Sequence, residues 1–134
     1  MPSYVWNLQK AIYDAIVTAA APEIEGGRVT DEWHESPEQS FFPYVFFQPE
    51  NSLPNNASCH QGSTRYWGIH IYSRSSSNSE LSSISGRIWE AFDGVKLSVS
   101  GLGTAYATIQ SDTDVSLAKT RGTKIVIQIE CREV

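Results

Sequence analysis

The sequence predicts an α+β fold in which a mixed or antiparallel sheet of four to five strands carries two helices packed on one face. Two observations predict it. Two segments repeat apolar residues at three- and four-residue spacing, and the other apolar segments are short and either alternating or β-branched. Their order is α-β-β-β-α-β-β, which is typical of this class. With 134 residues, 40% of them hydrophobic, the chain has material for one core, so residues 1–134 are predicted to form a single domain.

The first predicted element is an amphipathic helix over about residues 3–20. Ser3 can cap its start, and Pro22 cannot continue a helix, so both ends have a physical cause. The apolar face of this helix, which would pack on the sheet, is formed by Val5, Leu8, Ile12, Ala15, Ile16 and Ala19.

Two strands followed by a long polar loop are predicted in the first half of the chain. A short strand within residues 28–33 precedes a strong one at 43–48, where the run Tyr44 to Phe47 is entirely β-branched or aromatic. Residues 49–62 are polar and contain two prolines. They are predicted to be a long loop of the kind that is often functional or ordered by a partner.

The strand predicted at residues 65–74 has two different faces, because successive side chains point to opposite sides of a sheet. One face is apolar and carries Trp67, Ile69 and Ile71; the other is amphipathic and carries Tyr66, His70, Tyr72 and Arg74.

A second helix is predicted over about residues 77–92. Ser77 and Glu80 have the spacing of a capping box, and Asp93 with Gly94 ends the helix. Its apolar stripe consists of Leu81, Ile84, Ile88, Ala91 and Phe92.

The last part of the chain predicts an antiparallel hairpin. Residues 97–103 are a connection rich in Ser and Gly that allows a short strand, and a longer strand follows at 104–112. Residues 113–122 are predicted to be the polar hairpin loop. The strand at 123–132 has the clearest two-residue period of the sequence, with Ile125, Ile127, Ile129 and Cys131 on one face.

Composition disfavours several functional classes. The net charge is −5 and the ten Lys and Arg residues are scattered, which is unfavourable for binding nucleic acid nonspecifically or by sequence. Tyr66, Tyr72 and Tyr106 are placed where they can stack on bases, but an aromatic face buried against a helix or another subunit fits the charge better. The N-terminus has no signal-peptide pattern and no apolar run approaches membrane length, so we expect folding in a cytoplasm and no membrane partner.

Candidate catalytic and metal-binding residues form no recognisable motif. The histidines His34, His60 and His70 lack metal-site spacing, and the two cysteines, Cys59 and Cys131, have no metal-type arrangement. The densest titratable cluster is residues 31–35 (DEWHE), and a small metal-dependent hydrolase that uses this cluster is the enzymatic alternative. The sequence otherwise predicts no enzyme, catalytic residue, metal or cofactor.

The order of these segments resembles the tail-completion family of long-tailed phages, which includes tail terminators and head-to-tail joining proteins. The resemblance extends over nearly the whole chain and is carried by order and spacing. Its segments are residues 8–15 (LQKAIYDA), 42–47 (FPYVFF), 64–73 (TRYWGIHIYS), 88–94 (IWEAFDG) and the final hairpin at 109–129.

The resemblance implies a structural virion protein. Family members form a ring, usually of six copies, that ends the tail tube and joins it to the head connector. The implied partners are therefore further copies of the chain, the tail tube protein and the connector or neck protein. The implied location is the virion tail or neck, with assembly in the cytoplasm of the bacterial host. A neck or head-completion protein of the same particle is the alternative within this class.

Interface residues are expected on strand faces and at the final hairpin. Aromatic side chains on an otherwise polar strand face are typical of interfaces, and charged loop residues set partner choice. The candidates are Tyr66, His70, Tyr72, Asp112, Asp114, Lys119 and Arg121.

Overall fold

The computed structural model describes residues 4–20, 29–30, 43–54, 62–73, 79–99, 104–116 and 120–132. Within these ranges, two helices and six strands follow one another. They are α1 (Tyr4–Ala20), β1 (Val29–Thr30), β2 (Tyr44–Pro54), β3 (Gly62–Ser73), α2 (Ser79–Phe92), β4 (Val95–Leu97), β5 (Thr104–Asp114) and β6 (Arg121–Arg132).

The strands form one mixed sheet in the order β1-β2-β3-β6-β5-β4. The β1–β2 pair is parallel and all other pairs are antiparallel. The predicted fold class is therefore confirmed. The described sheet has six strands where four to five were predicted. The additional one is β4, which has only three residues and so offers no alternation for a sequence pattern to detect.

Both helices pack on the same face of the sheet and form the main core with it. Leu8, Ile12 and Ile16 of α1 are fully buried, which confirms the centre of the predicted apolar face. The core includes from α2 Ile84, Ile88 and Phe92, and from the four longest strands Val45, Phe47, Trp67, Ile69, Ile71, Ala105, Ala107, Ile125, Ile127, Ile129 and Cys131. This face is called the helix face below, and the opposite one the open face.

The predicted loop at residues 49–62 is wrong in its first part, because β2 continues to Pro54. Prolines are tolerated in a strand that has a free edge or a bulge. Within the described residues, the β2 strand has both. The neighbouring strand β1 pairs only with Val45 and Phe46, and the register with β3 shifts between Pro49 and Ser52. Residues 55–61 lie outside the described part of the chain.

The final hairpin is tighter than the predicted loop at residues 113–122. The strand β5 extends to Asp114 and β6 begins at Arg121, and Asp114 pairs with Thr123. Backbone pairing does not require apolar side chains, so polar residues continue both strands. A register shift between Ile109 and Ser111 also interrupts β5, which reverses the faces of all later side chains in that strand.

Candidate protein interface

A second, smaller cluster of buried side chains lies on the open face. It consists of Tyr44, Phe46 and Tyr72, with Val115 packed against it. The rings of Tyr44 and Tyr72 are 5.4 Å apart between centroids. Tyr72 is only 5% exposed, because β2 and the end of β5 place side chains around it. The aromatic surface predicted from the sequence is thus partly a small core within the subunit.

Gly122 is the reason that the Tyr72 ring can lie flat on the hairpin. Tyr72 and Gly122 are register partners on β3 and β6. A β-carbon at residue 122 would lie 2.7 Å from two ring carbons of Tyr72 and 3.3 Å from a methyl carbon of Val115. Only a residue without a side chain leaves this space, since such short carbon contacts are repulsive.

Tyr66, His70 and Tyr72 lie on the same face, as predicted from alternation, but they differ in exposure. Tyr66 and His70 are half-buried, whereas Tyr72 is buried. The His70 ring lies between Phe46 and Tyr72, at centroid distances of 5.2 and 6.2 Å. Among the three residues, Tyr66 and His70 therefore keep surface for a partner, and their role in an interface stays a prediction.

The surroundings of His70 disfavour its charged form. Burial is the largest influence and lowers the pKa of His70. The nearby Lys124 lowers this pKa further, and Glu50 raises it. Its Nε2 atom is buried and has no hydrogen-bond partner among the residues that the structure describes. Lys124 and Glu50 form an ion pair of 2.7 Å that crosses above Gly68. Burial also raises the pKa of the Tyr72 hydroxyl.

We expect acid to destabilise the fold through His70. The folded-state pKa is below the unfolded value of about 6.5, so below pH 6.5 the unfolded chain binds more protons than the folded chain. The free energy of unfolding then decreases as pH falls, by at most about 1.4 kcal/mol per pH unit. The decrease is smaller because solvent partly screens the ring. Denaturant unfolding at pH 7.5 and 5.5 measures this loss. His70→Gln should reduce it, and equal losses in both proteins would contradict the prediction.

The charged candidates at the hairpin gather on the helix face. The register shift in β5 turns Asp112 and Asp114 toward α2, and together with Arg121 they line a hollow of about 370 Å³ beside Ser82 and Ser85. The structure therefore separates the candidates into two groups, with the aromatic ones on the open face. Lys119 lies outside the described residues.

Hydrogen bonds hold both carboxylates of the hairpin in place. Asp112 accepts a hydrogen bond from the Thr123 hydroxyl at 2.5 Å and one from the indole nitrogen of Trp89 at 3.2 Å. Asp114 accepts from the hydroxyl and the backbone N–H of Ser116, at 2.6 and 2.8 Å. These two hydrogen bonds lower the pKa of Asp114, and the one from the hydroxyl has the larger effect. The hairpin thus presents fixed negative charge at its surface.

The sequence reasoning missed two exposed tryptophans. Trp6 of α1 is 60% exposed and Trp89 of α2 is 37% exposed. The signal was present, because Trp6 falls outside the predicted apolar stripe of its helix. A tryptophan on the polar face of an amphipathic helix is typical interface material.

Residues for a metal site are not grouped together in the described part of the chain. Within it, no three His, Cys, Asp or Glu side chains are grouped as a metal site requires. The cluster at residues 31–35 lies outside the described residues, as do His60 and Cys59. Cys131 is buried, and its Sγ atom lies 3.9 Å from the backbone oxygen of Ile129. Neither described helix is long and apolar enough to cross a membrane.

Fold and surface define a two-helix, one-sheet subunit with shallow hollows and aromatic surface residues, which is the form of an assembly component. The family model described as "Tail completion protein gp17" matches residues 10–133, and the chain belongs to this family. It is therefore a structural protein of the phage tail or neck. The family is one of structural phage proteins and not a known enzyme class.

Solved structures with the same fold are similar to this chain at low sequence identity. A chain of the virion of a native gene transfer agent particle has a TM-score of 0.70 and 16% identity, covering 98% of this chain and 99% of its own. A second structure, without a functional description, has a TM-score of 0.61 and 12% identity, covering 94% and 96%. At these identities the likeness shows the fold. No curated protein matches the chain significantly.

Proposed function

We propose that the protein is a tail terminator that acts as one domain. Six copies form a ring on the end of the tail tube, stop its growth and join the tail to the head connector or neck protein. Assembly takes place in the cytoplasm of the bacterial host, and the ring remains in the virion. The observation that carries this proposal is the family match over residues 10–133.

The geometry of the subunit is compatible with such a ring. A ring closes when one surface of a subunit binds a different surface of the next one. The described sheet ends in short strands on both sides, of two residues in β1 and three in β4. Beyond them, the outer edges of β2 and β5 have no partner among the described strands, so strand edges as well as side-chain surfaces are available for the contact.

Purified protein with isolated tail tubes tests the proposal. We expect a single oligomeric mass in sedimentation experiments and rings at one end of the tubes in electron micrographs. Tubes incubated with the protein should stop elongating when tube subunits are added. A protein that stays monomeric and does not bind tube ends would contradict the proposal. A ring that binds the head-side adaptor but not the tube would identify a neck or head-completion protein.

Reversing the hairpin charges should weaken docking. We expect the double variant Asp114→Lys, Arg121→Glu to bind tube ends or the adaptor about tenfold more weakly, because charges at an interface rim govern encounter and partner choice. Co-sedimentation with tubes measures the effect. Asp114→Asn keeps the acceptor for Ser116 and separates charge from hairpin structure. The double variant leaves the net charge at −5, so a change in docking reflects where the charges lie. Unchanged docking of the double variant would remove the hairpin from the interface.

A further inference from the structure

The exposed Trp6 side chain stands at one side of α1, toward β1 and β2. It borders a hollow of about 320 Å³ with Tyr13, Val29 and Phe47. The Lys10 ammonium lies 5.5 Å from the centroid of the Trp6 ring, which is a cation–π distance and restricts the ring. The tryptophan thus protrudes as a partly ordered apolar group with a positive charge beside it.

A groove lies at the other side of α1, toward β4. It has a volume of about 850 Å³, and small or apolar side chains form much of its wall, namely Ala15, Ala19, Ala91, Val95 and Leu97. Asp14, Arg87 and Glu90 also border this groove, and Glu90 is exposed. The groove thus combines room for a large side chain with two carboxylates and one guanidinium at its rim.

We infer that Trp6 of each subunit inserts into the α1–α2–β4 groove of the next copy of the same chain, with Lys10 beside Glu90. This inference rests on the proposed ring and names its contact. The two surfaces lie toward opposite ends of the strand order, since Val29 belongs to β1 and Val95 to β4. A contact between them is head-to-tail and repeats around an axis.

Complementarity of shape and charge favours Trp6 of a second copy as the group that fills the groove. A large aromatic side chain in a pocket of small residues is typical of the centre of an interface. Lys10 lies over the tryptophan ring, although Asp14 also borders that hollow. The groove carries two carboxylates, Asp14 and Glu90, against Arg87, so its excess negative charge matches Lys10. Opposite charges at the rim favour this register over others.

Removing the tryptophan tests the contact. Trp6→Ala should raise the protein concentration at half-assembly by about tenfold or more, as truncation of a central aromatic residue does. Mass measurements over a dilution series give this concentration. Trp89→Ala is the matched control, because Trp89 is also exposed but bonds to Asp112 within its own chain. It should change assembly by less than about twofold, and unfolding curves check that both variants fold.

A charge exchange tests the register independently. Lys10→Glu and Glu90→Lys each place like charges together and should each weaken assembly about fivefold. The double variant restores opposite charges and should assemble as the wild type does. A mixture of the two single variants should also assemble, since alternating copies in an even-numbered ring pair opposite charges at every contact.

The outcomes separate this inference from the proposed function. If the wild type forms rings and Trp6→Ala forms them at the same concentration, the inference is overturned and the terminator proposal stands. Rings that persist in Trp6→Ala but no longer bind tubes would assign the tryptophan to the tube contact and also overturn it. If the wild type forms no ring, the proposed function fails and the inference fails with it.

Discussion

Replacing Ile127 with alanine is expected to lower the free energy of unfolding by about 2–5 kcal/mol. Ile127 has no exposed surface and lies between Trp67 of β3 and Ile109 of β5, near the middle of the sheet. Hydrogen bonds to strands on both sides fix the backbone of β6, so the cavity cannot collapse. Because a domain of this size is typically stable by about 5–15 kcal/mol, this loss is a large fraction of the total stability.

Val126→Ala is the matched control for Ile127→Ala. Val126 is the adjacent residue of β6 but lies on the open face, half-buried between Gly68 and Ser111. Its truncation should cost less than about 1 kcal/mol, because little surrounding surface is lost. Denaturant unfolding of the two variants gives both values. Equal losses would mean that the helix face does not hold the main core.

The sequence predicted those parts of the fold that a periodic pattern encodes. Apolar spacing in α1 and α2 and alternation in β6 each follow from burial of one face, and Ile12, Ile88 and Ile127 are fully buried as a result. The order of the elements predicted that both helices share one face of the sheet. The three-residue strand β4 contains too few residues for a period, so its existence depends on pairing with β5.

The features that the sequence did not predict depend on strand register. The shift between Ile109 and Ser111 cannot be detected from composition, yet it decides that Asp112 and Asp114 face α2 rather than the open face. Prolines suggested that β2 ends before Pro49, but a strand without a long partner on one side can include them. Such effects are properties of pairs of strands, so one segment alone does not reveal them.

The candidate interface was predicted by residue type but not by exposure. Tyr72 has the alternation of an outward-facing side chain, and it does lie on the open face, but Tyr44 and Phe46 from β2 enclose it. Trp6 shows the opposite case. A helical pattern assigns it to the solvent side, and the structure leaves it 60% exposed. Exposure therefore depends on neighbouring elements, which the pattern of one strand or helix does not contain.

Gly122→Ala is expected to destabilise the protein by about 1–3 kcal/mol, as overpacking of a filled core does. Among the described glycines, only Gly94 has a positive φ. The backbone conformation of Gly122 therefore permits alanine. The conflict is spatial. The new methyl group would lie 2.7 Å from two ring carbons of Tyr72, and this ring is confined by Tyr44, 5.4 Å away between centroids. Either the ring must move or β6 must separate from β3.

Gly86→Ala is the matched control, and its effect should have the opposite sign. Gly86 lies within α2, and a β-carbon there would have no neighbouring atom within 4 Å. Alanine in a helix interior is favoured over glycine by up to about 1 kcal/mol. Denaturant midpoints of the two variants should therefore lie on either side of the wild-type value. If Gly122→Ala is neutral or stabilising, the Tyr72 ring is free to move, and the small aromatic cluster of the open face is loosely packed.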